Sequence, residues 1–329
     1  MIYLHGIGHF HPENVISNKF LEDLDIGTNH EWIMERVGIE ERRTVLPLDY
    51  IRATKNFDKR EAASASLYTN AQTAFKAATI AISKAKIKST DIGLVIAGGC
   101  SPQYTCPAEA CVIASELNIE APSFDLNSAC SSLAAHLNFL QMMNPELVPS
   151  YVLIIQAENN TRTIDYSDRN SAVLWGDCTT ALIVSTKVPS KIKITHTTFE
   201  SIPSGWDKVV IPTQGHFFQD GRAVQSFAIK KSHHVINKLR EHISGEHASS
   251  AKFIGHQANL LMLNSVCARA EIKNENHFYN INRYGNCGAA GAPSVLSENF
   301  DELQKGDRIM IAVVGSGLSF GGALLEVGV

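Results

Sequence analysis

The chain has 329 residues, of which 44% are apolar and 19% charged, with a net charge of −4. That length can bury one large core or two medium ones. The absence of a run of Lys/Arg leaves nucleic acid and anionic membranes without support as partners. No stretch of about 18 apolar residues occurs, so nothing in the chain reads as a membrane-spanning helix. The start, Met1-Ile2-Tyr3-Leu4-His5-Gly6, lacks the basic and long apolar regions of a secretory signal. The seven cysteines are irregularly spaced, with no facing C-x-x-C pairs. We therefore expect no metal site, a reducing cytoplasmic location, and most cysteines acting as small core residues.

In chain order, residues 2–7 read as a buried strand. Residues 44–60 carry Pro47, several charges and no firm period, which predicts a long surface loop or lid. Residues 62–86 are Ala-rich with apolar residues at helical spacing, followed by a strand over Ile92–Ala97. A helix over 108–117 begins just after Pro107, where proline suits a first turn. Strands follow at 123–126, 151–156 and 180–185, with a helix over 131–143 whose Leu133, Leu137 and Leu140 share a stripe. Residues 201–222 are rich in Gly, Pro and aromatics and read as a connection lying over a pocket. Helices at 226–243 and 259–270 flank a strand at Lys252–Gly255, and a last apolar pair spans 308–327. Short Val/Ile/Leu runs alternating with helices imply an α/β fold with a mostly parallel sheet. Each half has a strand leading into a functional turn and ends in a hairpin-like pair. We therefore place a boundary near Thr186-Lys187-Val188-Pro189 and expect two units, 1–186 and 187–329.

Four pieces carry chemistry. In Ser123-Phe124-Asp125-Leu126-Asn127-Ser128-Ala129-Cys130 a strand ends in a tight turn and a helix starts at the cysteine. The positive end of that helix would favour a thiolate, the competent nucleophile for a thioester. A buried structural cysteine fits the same pattern. In Gly255-His256-Gln257-Ala258-Asn259 a second strand meets a helix, where His256 could serve in catalysis or as a core residue and Asn259 as an N-cap. Asn286 lies in the small-residue loop Tyr284-Gly285-Asn286-Cys287-Gly288, which also reads as a plain turn. Gly315-Ser316-Gly317-Leu318 follows an apolar strand. It lacks the Lys-Ser/Thr of a phosphate loop, but could offer a backbone N–H to an oxyanion or simply turn the chain.

Together, and in this order, the four pieces resemble the 3-oxoacyl-(acyl-carrier-protein) synthase III family of thiolase-fold condensing enzymes. Further matches are Thr28 through Ile39, Asp165-Tyr166-Ser167-Asp168-Arg169 and Trp175-Gly176-Asp177. The resemblance implies a thiolase-like α/β fold of two similar halves in α-β-α-β-α layers. It implies that Cys130 takes the acyl group from an acyl-CoA, with the N–H groups of Cys130 and Gly317 as oxyanion hole. His256 and Asn286 would hold a malonyl thioester, of CoA or acyl carrier protein, during decarboxylation and Claisen condensation to a 3-oxoacyl product. It also implies a CoA site built from Thr28, Trp32, Arg36, Arg162 and Asn259, with Trp32 and Arg162 sandwiching the adenine. No metal or other cofactor is required, and a homodimer is expected. Three departures stand out. Leu261 replaces an arginine that docks the carrier protein, leaving Arg269 as the main basic residue nearby. Cys287 and Gly288 replace small hydroxyl residues, and Cys178 replaces a glycine. These changes point to altered substrates, with acyl transfer to an oxygen or nitrogen of a small molecule as the competing activity. A cysteine hydrolase using Cys130, His256 and Asn286 is a further alternative, and a non-catalytic binding module the weakest.

Overall fold

Residues Tyr151–Glu158 and Cys178–Ser185 are buried along almost their whole length, as strands are when helices cover both faces of their sheet. The computed structural model describes residues 1–244 and 249–328. Its strands are β1 (Ile2–Phe10), β2 (Asn14–Ser17), β3 (Glu41–Thr44), β4 (Ile92–Ala97), β5 (Ser123–Asp125), β6 (Tyr151–Glu158) and β7 (Cys178–Ser185). They continue with β8 (Ile192–Ser201), β9 (Val209–Val210), β10 (Phe218–Gln219), β11 (Lys252–Gly255), β12 (His277–Phe278), β13 (Arg308–Gly315) and β14 (Ser319–Val327).

Ten of these form one sheet in the order β12-β11-β13-β14-β8-β1-β7-β6-β4-β5. At its centre β1 meets β8 antiparallel, with Ile2 opposite Ile194 and Leu4 opposite Ile192. Outward from this seam the two sides run alike. β1–β7–β6 and β8–β14–β13 are antiparallel, and the parallel pairs β6–β4–β5 and β13–β11–β12 follow. The expectation of a mostly parallel sheet is thereby corrected, since the five central pairings are antiparallel. Unbroken apolar runs report burial on both faces, and an antiparallel strand covered by helices satisfies that equally well.

Helices complete five layers. Leu133, Leu137 and Leu140 of helix Ser132–Met142 and Val295 and Leu296 of helix Gly291–Asn299 pack in one core with strands of both sides. These two helices are the middle layer. An alanine stripe on helix Asn70–Ala85, with helix Glu109–Glu116, covers the outer face of the β1, β4–β7 side. Helices Gly221–Arg240 and Leu260–Arg269 cover the other side. This is the layered thiolase-like α/β architecture.

Two local readings change. Residues 44–60 are not a surface loop: they contain helix Leu48–Thr54 with Ile51 fully buried. The buried Asn56 side chain donates to the carbonyls of Arg162 and Ile164 at 3.0 and 2.8 Å. The long helix expected over 62–86 is two, Lys59–Ala65 and Asn70–Ala85, because Thr69 and Gln72 close a capping box that starts the second one afresh.

Candidate active site

The nucleophile turn begins where β5 ends. Ala129 adopts φ +46°, a left-handed conformation that costs a non-glycine residue about 1 kcal/mol, and a short 3-10 turn, Ala129–Ser131, precedes helix Ser132–Met142. Hydroxyl groups hold the strained turn. Ser128 N–H donates to Ser132 Oγ at 2.9 Å, Ser132 Oγ–H donates to the Ala129 carbonyl at 2.7 Å, and the Ser131 and Ser319 hydroxyls lie 2.7 Å apart. The β13–β14 turn presses against it from the other half. A Cβ on Gly315 would stand 2.7 Å from the Ser131 nitrogen, so only glycine permits this approach.

Cys130 is 7% exposed. Its Sγ lies 3.3 Å from Cys100 Sγ. A hydrogen bond from the Cys100 thiol, followed by one from His256, draws the Cys130 thiol well below the ordinary thiol range despite burial. The same contact, together with burial and the carboxyl of Glu158, holds Cys100 protonated. The contact thus favours the thiolate on Cys130 and the proton on Cys100.

Glu158 ends β6 behind these sulfurs and is fully buried. It accepts from Cys100 N–H at 2.8 Å and from Ala289 N–H at 2.7 Å. Burial first, and the charge of Cys130 second, raise its carboxyl to about 8. Gly288, with φ +54°, packs so closely that a Cβ there would sit 2.5 Å from Glu158 Oε1. This explains why the loop carries glycine where a hydroxyl residue was expected.

His256 follows β11 and is 5% exposed, and its Nδ1 has no protein partner. The neighbouring Gln257 fixes the strand-to-helix bend by donating to the Gly255 carbonyl at 2.8 Å and accepting from Asn280 N–H at 3.2 Å. Asn259 caps the next helix by accepting from Met262 N–H at 3.0 Å, and it donates to the Arg36 carbonyl at 3.1 Å. Asn286 is pinned through its backbone, which donates to Leu174 and accepts from Gly176 at 2.7 and 3.1 Å. Its Oδ1 accepts from Gly288 N–H at 3.0 Å, which leaves the Nδ2 hydrogens as its free donors.

Cys130, His256 and Asn286, separated by up to 156 positions in sequence, line one inner chamber of about 50 Å³, walled by Trp175, Phe217 and Leu318. Ser316 and Leu318, on either side of Gly317, also line it. The chamber opens into a cleft of about 620 Å³ whose lining includes Trp32, Arg36, Asn259 and, again, Asn286. Val209, Phe217 and Gln219 show that the 201–222 connection does lie over the pocket.

Two of the expected site residues fall elsewhere. Arg162 is not beside Trp32. It is 7% exposed on the turn after β6, donates to Asn70 Oδ1 and to Gln103 Oε1 at 2.6 Å, and faces a different cavity of about 390 Å³. The guanidinium groups over the Trp32 ring are those of Arg36 and Arg169, at 4.9 and 4.8 Å. Arg169 reaches it because Asp168 caps a short helix there and Arg169 donates to the Gly27 carbonyl at 2.5 Å. Thr28 lies just before Asn29, the N-cap of helix His30–Arg36, outside the cleft lining. Sequence reasoning missed Cys100 and Glu158. The only signal was a carboxylate closing a largely apolar strand. Among the described residues no cluster of three or more metal-ligating side chains occurs.

Family models described as 3-oxoacyl-(acyl-carrier-protein) synthase III and as its C-terminal part match residues 124–203 and 246–327. A beta-ketoacyl-(acyl-carrier-protein) synthase III of Syntrophomonas wolfei is 31% identical over 98% of this chain and 96% of its own. One of Coxiella burnetii is 28% identical, with 98% of each chain covered. The crystal structure of 3-oxoacyl-(acyl-carrier-protein) synthase III from Aquifex aeolicus superposes with a TM-score of 0.88 at 28% identity, covering 99% of this chain and 100% of that one.

Proposed function

The chain belongs to the 3-oxoacyl-(acyl-carrier-protein) synthase III family, and we propose that Cys130, His256 and Asn286 are its catalytic residues. It is an acyltransferase that joins an acyl group to a malonyl thioester by decarboxylative Claisen condensation. The observation that carries our assignment of roles is the single chamber that collects these three side chains at the foot of the Trp32 cleft.

The Cys130 thiolate attacks the carbonyl of an acyl-CoA. The tetrahedral oxyanion is held by the N–H groups of Cys130 and Gly317, and CoA leaves as its thiolate, which takes up a proton from solvent. A malonyl thioester then enters with its carbonyl oxygen facing His256 and the Asn286 Nδ2 donor. Loss of carbon dioxide leaves an enolate, which those two donors stabilise in a chamber with little room for water. The enolate carbon attacks the acyl carbon on Cys130, the thioester bond breaks, and the 3-oxoacyl product leaves with Cys130 again a thiolate. Two donors fixed on an enolate are what condensation needs and what hydrolysis or simple transfer does not.

For CoA, the Trp32 ring supplies a face for the adenine, with Arg169 in place of Arg162 as its guanidinium partner and Arg36 beside it. Asn259 acts by fixing the cleft wall to Arg36. CoA and carrier thioesters serve as substrates, and no step above calls on a resident cofactor. The loss of an arginine at Leu261 is offset by the fold: Arg222 and Lys230 of helix Gly221–Arg240 converge with Arg269 on one depression, and Arg222 also lines the cleft. Such a basic rim suits an acidic carrier protein delivering its pantetheine arm. A second copy of the chain fits the bare side of β5, a sheet edge carrying the exposed Phe124. The division into halves 1–186 and 187–329 is supported by the mirrored strand order. No described helix is long and apolar enough to cross a membrane, and a cytoplasmic location remains our reading.

The test is to incubate the protein with a panel of acyl-CoAs and weigh it intact. An acyl-sized increment is expected that is absent in Cys130→Ala. If no acyl-CoA labels the wild type, the assignment of Cys130 fails.

A further inference from the structure

Condensation as derived above uses one thiol, yet two stand in contact. Cys100 lies in the irregular connection between β4 and helix Glu109–Glu116, and its sulfur is 3.3 Å from that of Cys130 with both thiols free. A disulfide requires about 2.05 Å between sulfurs. The difference is within reach of a side-chain rotation and a small shift of a segment that no helix or strand holds. The two cysteines also line different spaces. Cys130 opens on the inner chamber, whereas Cys100 lines the separate cavity of about 390 Å³. A small reagent therefore has a route to the pair that does not pass through the Trp32 cleft.

We propose that Cys100 and Cys130 form a reversible oxidation site, in which a hydroperoxide converts the pair to a disulfide that removes the nucleophile from the reaction and shields it from irreversible oxidation. The inference rests on the reading of Cys130 as the reactive thiolate. In the first step the Cys130 thiolate attacks the peroxide oxygen. The O–O bond breaks, Cys130 becomes a sulfenic acid, and the departing hydroxide or alkoxide takes up a proton. In the second step the Cys100 sulfur attacks the sulfenic sulfur. The S–S bond forms, the S–O bond breaks, and the hydroxide leaves with the Cys100 proton as water. In sum, two thiols and one hydroperoxide give one disulfide, one water and one water or alcohol. Glu158, whose carboxyl sits against Cys100 and accepts its N–H, is placed to relay the Cys100 proton as that sulfur becomes the attacking group. A dithiol reverses the change by exchange through a mixed disulfide. The other buried pair, Cys178 and Cys287, packs together behind Asn286 and serves as an internal control, because it lines neither the chamber nor this cavity.

The experiment treats the full chain with a small molar excess of hydrogen peroxide, blocks remaining thiols with iodoacetamide, and maps the unreduced peptides. The expected result is a Cys100–Cys130 linked peptide as the main disulfide. Acyl-CoA labelling should fall at least about tenfold and recover with dithiothreitol. Prior acylation of Cys130 should prevent the link. Cys100→Ser should give no link and instead accumulate sulfinic and sulfonic Cys130 that dithiothreitol cannot restore. The proposal is overturned if wild-type Cys130 over-oxidises as fast and as irreversibly as in Cys100→Ser. It is equally overturned if the main link joins Cys178 to Cys287 while Cys130 stays free. The peptide map is independent of acyl labelling in the untreated enzyme, so a failure of this proposal is distinguishable from a failure of the catalytic assignment.

Discussion

The strands on the two sides of the β1–β8 seam are ordered alike, but the residues at their ends do different chemistry. Shortly after β4 comes Cys100, and at the matching place after β11 comes His256. The turn beyond β5 presents Cys130, and the loop beyond β12 presents Asn286. One side thus offers two sulfurs backed by a buried carboxyl, and the other offers two nitrogen donors. The plan of the fold fixes where functional groups appear, and only the residue at each place decides whether that place holds an acyl group or stabilises an enolate. In our proposal the acyl group is carried on one side of the seam and the enolate is held from the other, with His256 and Gly317 reaching across to assist Cys130.

That division can be broken by experiment. Cys130→Ala should remove acyl labelling and lower condensation by about 10³-fold or more, measured by intact mass and product formation. Asn286→Ala and His256→Ala should each keep acyl labelling while slowing carbon dioxide release from the malonyl thioester by about 10²–10³-fold. If either variant loses labelling to the same degree as condensation, the two sides are not separate in function.

The Trp32 cleft sharpens the comparison at its rim. Trp32→Ala should raise the KM for acyl-CoA about tenfold with little change in kcat, from the loss of roughly 1–2 kcal/mol of stacking. Arg169→Ala should raise it a few-fold. Arg162→Ala should leave the KM alone and instead lower stability, since the buried Asn70 Oδ1 would lose a charged donor and the half-buried Gln103 its partner. Steady-state kinetics and thermal melts of the three variants discriminate the two arginines.

The smallest expected effect concerns Glu158. Its carboxyl is neutral in the folded chain up to about 8 but would ionise near 4.5 when unfolded. Its contribution to stability is full below 4.5 and is lost as pH rises through about 8. The melting temperature of the wild type should therefore carry a downward slope across that window. Glu158→Gln, with no charge to bury, should lack that part of the slope, whatever constant penalty it bears for one lost acceptor.

The sequence made much of the framework readable, because short runs rich in Ile, Val and Leu such as Ile92–Ala97 and Arg308–Gly315 read as buried strands at that length. Ile192–Ser201 escaped because Lys193, Thr195 and His196 interrupt its apolar residues just after Pro189, which reads as a boundary. Strand direction was not legible at all, for burial alone does not encode it. Of the site, Cys130, His256 and Asn286 each had an innocent alternative, and only their joint order pointed to catalysis. Cys100 could not be found, because a contact between sulfurs 30 positions apart leaves no trace in spacing. Arg162 and Arg169 are equally plausible on paper. The choice between them is made by the Asp168 cap and the Gly27 carbonyl, which are features of folded geometry.

The seam has a consequence for how the chain is made. β1 is synthesised well before either of its partners: Tyr3 pairs with Ser185 and Ile2 with Ile194. At about 5–20 residues per second of translation, an apolar nine-residue segment waits roughly 10–40 seconds for its neighbours to leave the ribosome. During that interval β1 has no native strand to pair with, and its exposed edges can recruit other nascent chains. Slowing elongation ahead of residue 180 should increase aggregation of this protein, and a chaperone that holds extended apolar segments should relieve it.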